Sequence, residues 1–114
     1  MSNCNMSQRC GWPNELSGVM TTATVVEIGS LLFNPVHLIF DNQSTSPVAI
    51  SVNDNTGTNV WKTFSAGETL ILDMRGNKGM AANFTADIGT TYYGAGTTAS
   101  GDFKISYTYA GSDQ

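Results

Sequence analysis

Charge is the scarcest property of this sequence. Only 12% of its 114 residues are Asp, Glu, Lys or Arg, about half the share of an ordinary soluble domain. Lys and Arg number 5 against 9 Asp and Glu, a net charge of −4. That leaves no basic footprint for holding a nucleic acid backbone. No stretch approaches the roughly 18 apolar residues of a membrane span. With one His and two Cys, most metal and nucleophile chemistries lack parts. The C-x5-C spacing of Cys4 and Cys10 matches no zinc pattern, and His37 is their only candidate partner. Nor does any window carry an i, i+3, i+4, i+7 apolar stripe long enough for a helix.

Ser, Thr, Asn and Gly stand where the charges would be, giving a neutral-polar surface suited to packing against other subunits. A chain of this length makes one domain. From Thr21 onward, short β-branched runs alternate with turn clusters. Strands are expected at Thr24–Ile28, Val36–Asp41, Val48–Asn53, Val60–Phe64, Thr69–Met74 and Phe103–Tyr109, with weaker candidates at Phe84–Ile88 and Thr91–Tyr93. Asp54-Asn55-Thr56-Gly57 supplies turn residues that tolerate positive φ, which makes the flanking strands a hairpin. Alternation assigns Val48, Ile50, Val52, Leu70, Leu72, Phe103, Ile105 and Tyr107 to the core. Each strand has one wet and one dry face, as antiparallel sheets do. The expectation is all-β: a single antiparallel β-sandwich, jelly-roll-like, with an irregular N-terminal arm.

That arm is expected over residues 1–20, with the sandwich over 21–114. The opening MSNCNMSQRCGWPNELSG lacks strand periodicity and lacks the basic-then-apolar order of a secretory signal. Synthesis in a cytoplasm is therefore expected, with Cys4 and Cys10 as thiols. The apolar residues of the arm, Met6, Trp12 and Leu16, are candidates for docking on a partner. Trp61 and Tyr93, each flanking a core-facing neighbour, are candidates for contacts between copies. The low charge favours a homo-oligomer, with a trimer the first expectation.

Enzyme chemistry finds little support. His37 lies in a strand pattern with no Cys near it, and no G-x-S-x-G elbow exists. The carboxylates Asp41, Asp54, Asp73, Asp87 and Asp102 fall mostly at strand ends, where Asx-turns recruit Asp. Gly76-Asn77-Lys78-Gly79 lacks the rest of a phosphate loop and reads as a turn. Catalytic, metal and cofactor residues are accordingly expected to be none. The aromatics Trp61, Tyr92, Tyr93, Tyr107 and Tyr109 offer one alternative, a carbohydrate-binding platform.

The stretch from Pro35 to Tyr109 resembles small β-sandwich structural proteins of tailed bacteriophages. The resemblance lies in VHLIFDNQSTSPVAISVND, WKTFSAGETLILDMRGNKG, GTTYYG and the closing GDFKISYTY. It implies a virion component made in the host cytoplasm and present in many copies. Such a component would be a tail fibre or head–tail junction protein, or alternatively a capsid decoration protein. Its implied partners are itself and other virion proteins, such as tail, connector or capsid subunits.

Overall fold

The computed structural model describes residues 14–21, 24–75, 82–96 and 101–109. Eight strands carry the fold: β1 (Asn14–Met20), β2 (Val25–Ser30), β3 (Pro35–Asn42), β4 (Val48–Val52), β5 (Val60–Phe64), β6 (Thr69–Asp73), β7 (Thr91–Gly96) and β8 (Gly101–Tyr109). Among the described residues there is no helix. The strands form two four-stranded sheets, ordered β1-β8-β3-β6 and β2-β7-β4-β5.

The topology is a nested hairpin. β4 pairs with β5, β3 with β6, β2 with β7 and β1 with β8, all antiparallel. The nest then rolls up, so that β3 also pairs with β8 and β4 with β7. Two Greek keys wound in this way make a jelly-roll sandwich. Among the described strands only β4 and β5 are joined as a same-sheet hairpin, at the Asp54–Gly57 turn. Every other connection crosses between the sheets.

The core between the sheets holds Leu38 and Phe40 from β3, Val48 and Ile50 from β4, Phe64, Tyr92, and Phe103, Ile105 and Tyr107 from β8, all essentially without solvent exposure. Phe40 lies at the centre of a ring cluster, with centroids 5.1 Å from Trp61, 5.7 Å from Phe64 and 5.6 Å from Tyr92. Five of the eight expected core residues are buried. Val52, Leu70 and Leu72 are half-buried and pack against the core's edge. Burial in the apolar core pushes the Tyr92 phenol well above its ordinary pKa, with the Asp87 carboxylate adding to the effect. Its hydroxyl donates to the Thr85 carbonyl at 2.9 Å.

Two expected features are corrected. Residues 14–20 are not an irregular arm but strand β1, paired along its whole length with β8 from Asn14↔Tyr107 to Met20↔Gly101. Leu16 and Met20 turn inward, with Gly18 between them on the same side. Val19 points out and is exposed. A glycine on the dry face and a valine on the wet one erase the alternation that marks a strand. Phe84–Ile88 is not a strand either. Phe84 inserts its ring beside Trp61, 4.3 Å between centroids, and the residues after it turn.

One glycine is required by close approach. Gly101, at φ +121°, starts β8 where a Cβ would stand 2.9 Å from the Ser44 Cα and 3.2 Å from the Gln43 carbonyl oxygen. Backbone cannot yield as a flexible side chain can. Gly101→Ala is expected to cost about 1–3 kcal/mol, combining strained φ with overpacking. Chemical denaturation would show the loss, and an unchanged midpoint would contradict this account of Gly101.

Candidate interaction surface

Three surfaces are available: the outer face of each sheet and the end of the sandwich where β1 begins and β8 finishes. Register lays out the first face in rows. One row runs Glu15–Ser106–Ile39–Ile71, the next Ser17–Lys104–Asp41–Thr69, and a third joins Thr108, His37 and Asp73. In this last row His37 Nδ1 lies 3.4 Å from Thr108 Oγ1, and Nε2 lies 3.9 Å from Asp73 Oδ2. Both separations exceed the working distance of a base and its nucleophile, about 2.6–3.2 Å. Asp73 is instead engaged by Arg75, which donates from Nε at 3.1 Å and from a terminal guanidinium nitrogen at 2.8 Å. The Arg75 side chain and backbone N–H hold the Asp73 carboxyl well below the usual carboxylate range. The arrangement is a polar patch on an open sheet face.

On the second sheet the outer rows are Val25–Ala95–Ala49–Thr63 and Glu27–Tyr93–Ser51–Val60. Tyr93 stands half-buried in the middle of this face, between Glu27 and Ser51. The β4–β5 loop folds back toward the same face, close enough that a Cβ on Gly57 would meet Val25 at 2.9 Å. Asp54 organises that loop by accepting from the Thr56 hydroxyl, the Thr56 N–H and the Asn59 N–H. Those donors, the Thr56 hydroxyl foremost, hold the Asp54 carboxyl below its ordinary pKa.

The end of the sandwich is the most apolar of the three surfaces. The β2–β3 loop and the turn before β7 are stitched together: Leu31 N–H to Thr90 O, Gly89 N–H to Leu31 O, and Ile88 N–H to Asn34 Oδ1. These two loops present Leu32 and Ile88, which are 65% and 63% exposed, together with Phe33. Phe33 stacks on Tyr109 with centroids 4.2 Å apart. The Leu32 N–H donates to the Tyr107 hydroxyl at 2.9 Å, tying the loop to the last strand. Asn14 pairs opposite Tyr107 and Pro35 opposite Tyr109, so the start of β1 and the end of β8 lie at this end.

Of the five candidate interaction residues, the three among the described residues lie apart from one another. Met6 and Trp12 lie outside the described residues. Leu16 packs inside its own sandwich, where its side chain reaches within 3.0 Å of a Cβ built on Gly29. Trp61 is half-buried in the ring cluster. Tyr93 alone stands on a sheet face. Of the five aromatics considered as a sugar platform, Tyr92 and Tyr107 are fully buried. Leu32, Phe33 and Ile88 were not singled out from the sequence, although Leu31-Leu32-Phe33, an apolar run between Ser30 and Asn34-Pro35, was a visible signal. Among the described residues no group of three His, Cys, Asp or Glu side chains is placed to hold a metal ion. In comparisons with known proteins, no family model, no curated protein and no solved structure matches the chain.

Proposed function

We propose that this chain is a non-enzymatic structural subunit of a bacteriophage particle, a tail fibre or head–tail junction protein assembling as a symmetric homo-oligomer. The observation that carries the reading is the eight-stranded jelly roll built from a chain only 12% charged. Jelly rolls serve as viral capsid and lectin domains and in cupins. A fold of this kind supports many functions, so the surface must choose among them. Here the outer faces carry Ser, Thr, Ala and Ile among a few charges, Glu15, Asp41, Asp73 and Lys104 on the first and Glu27 on the second, and one end carries Leu32, Phe33 and Ile88. Burying such a surface against a neighbour costs little desolvation, because few ions lose water. Repetition around a symmetric particle then multiplies a modest affinity at each contact.

With β1 inside the sandwich, the attachment segment shortens to residues 1–13. It enters the fold at the apolar end, which makes that end the side facing the rest of the particle. Its partners are tail or connector subunits, or capsid subunits if the chain is a decoration protein. The test is composition and position. Purified particles should contain the chain in many copies by quantitative mass spectrometry, and deleting residues 2–11 should leave a folded domain that no longer incorporates. Recovery of the chain only from the non-particulate fraction would overturn the proposal. Retention on a carbohydrate column, with no particle association, would favour a soluble sugar-binding module instead.

A further inference from the structure

Every open sheet has edges, and unpaired edge strands invite pairing with another chain. This sandwich has four such strands, and they are not protected alike. β1 and β2, at one side of the two sheets, lie against each other. Thr21 and Thr24 form a bridge between them, a Cβ on Gly18 would be 3.4 Å from the Glu27 carbonyl oxygen, and Leu16 packs on Gly29. β5 is blunted by its register shift, which leaves Trp61 unopposed, and by Lys62, whose ammonium group is 3.0 Å from Glu68 Oε2. Bulges and edge lysines are devices that prevent strand addition.

β6 has neither. It reads Thr-Leu-Ile-Leu-Asp, contains no Lys or Pro, and pairs with β3 from Asp41↔Thr69 to His37↔Asp73 with no register shift. The bonds Asn42 N–H to Glu68 O and Met74 N–H to Val36 O set the phase of the β3–β6 ladder. Antiparallel bonding alternates, so the N–H and C=O groups of Thr69, Ile71 and Asp73 point away from β3. Ile71 is also 64% exposed on the outer face, beside Ile39 in the same row.

We infer that β6 is the contact between two copies of this chain, paired antiparallel about a two-fold axis at Ile71. The pairing sets Ile71 opposite Ile71 and Thr69 opposite Asp73 of the second copy. The outward N–H and C=O groups of residues 69, 71 and 73 then satisfy one another, and the two first sheets become one continuous sheet. On its outer face Ile39 and Ile71 of each copy form a four-isoleucine strip. Charge favours this direction of pairing. Arg75, just past one end of the strand, comes to the Glu68 and Asp41 end of the second copy, whereas parallel pairing would set Asp73 beside Asp73. Such a contact is isologous, as two-fold interfaces are. It rests on the homo-oligomeric reading above, and puts a two-fold pair in place of the trimer first expected from the sequence.

The test uses the full chain in sedimentation velocity and native mass spectrometry. The wild type should show a dimer or a multiple of it. Ile71→Lys should raise the apparent dissociation constant at least about tenfold, with the circular dichroism spectrum unchanged because the side chain is exposed in the single chain. Ile71→Cys should form a 71–71 disulfide on mild oxidation, since exchanging antiparallel residues have Cα atoms about 5.5 Å apart. Peptide mapping separates that link from any through Cys4 or Cys10. An oligomer that Ile71→Lys leaves intact, without the 71–71 link, overturns this contact and leaves assembly through another surface standing. A wild-type chain that is monomeric both in solution and in the particle overturns this contact and the oligomeric reading together.

Discussion

Replacing Asn42 with alanine is expected to remove about 3–5 kcal/mol, up to half the stability of a domain this size. Asn42 ends β3 with no solvent exposure. Its side-chain amide donates to three carbonyls, Ser46 at 3.0 Å, Phe64 at 3.1 Å and Ser65 at 3.0 Å. With two amide hydrogens for three acceptors, one hydrogen is shared. Its oxygen accepts from the Ser44 N–H at 3.0 Å and the Ser44 hydroxyl at 2.6 Å. The backbone joins in, with Asn42 N–H bonded to Glu68 O and Gly67 N–H to Asn42 O. One side chain thus ties the β3–β4 loop to the end of β5, clamping the first sheet to the second. Alanine would leave these buried partners without the amide, and each unmet group costs about as much as its lost bond.

Aspartate at this position makes a sharper test. It matches the shape of asparagine and can still accept from Ser44, but its second oxygen faces three carbonyls. Burial and those carbonyls would raise its folded-state pKa above the unfolded value of about 3.9. The loss in Asn42→Asp should therefore be fully present at neutral pH and shrink as pH falls toward and below about 4. Urea denaturation at pH 7 and pH 4 measures both effects. A loss under about 1 kcal/mol for Asn42→Ala would show that the clamp is not what holds this end together.

Phe40→Ala carries the second large effect, about 3–5 kcal/mol for a fully buried aromatic ring. Phe40 lies on β3, an interior strand between β8 and β6, and its ring meets those of Trp61, Phe64, Phe84 and Tyr92. Without it Trp61 and Phe84 lose the platform that holds them at the margin of the core, so Trp61 emission should shift to the red in native protein. Phe40→Leu keeps more volume and should cost roughly half as much. An alanine variant with unchanged emission and stability would mean the ring cluster does not anchor this side of the sandwich.

The fates of Trp61 and β1 show how far local pattern reaches. Val60–Phe64 was legible as a strand with its bounds intact, because its β-branched and aromatic run lies between turn residues. The direction of Trp61 was not. In an undisturbed strand it would share the outward side with Thr63, but Ile50 pairs with Lys62 while Ser51 pairs with Val60. The extra residue resets the parity, and Trp61 joins the core while Val60 turns out. A register shift is a property of two strands together and leaves no mark in either one. β1 escaped notice because its inward positions include Gly18 and its outward ones Val19. It became a strand only because β8, about 90 residues further along the chain, offers it a ladder.

Seven strands, the weaker expectation at Thr91–Tyr93 among them, and the β4–β5 hairpin followed from the sequence alone, as did five of eight core residues, since period-2 alternation and turn chemistry are written within a few residues. Strand order was decided by tertiary structure: pairing β1 with β8 and β2 with β7 joins opposite ends of the chain. So was the position of Asn42, whose side-chain partners lie up to 23 residues away. The surface followed the same division. Its neutrality is compositional and could be read directly. Which apolar residues it exposes, Leu32, Phe33 and Ile88 at one end and Ile71 on an unprotected edge, depends on how the sheets close. Among the described residues, closure covers β1 and β2 with each other and leaves β5 and β6 as edges, of which β6 alone has neither a register shift nor a lysine.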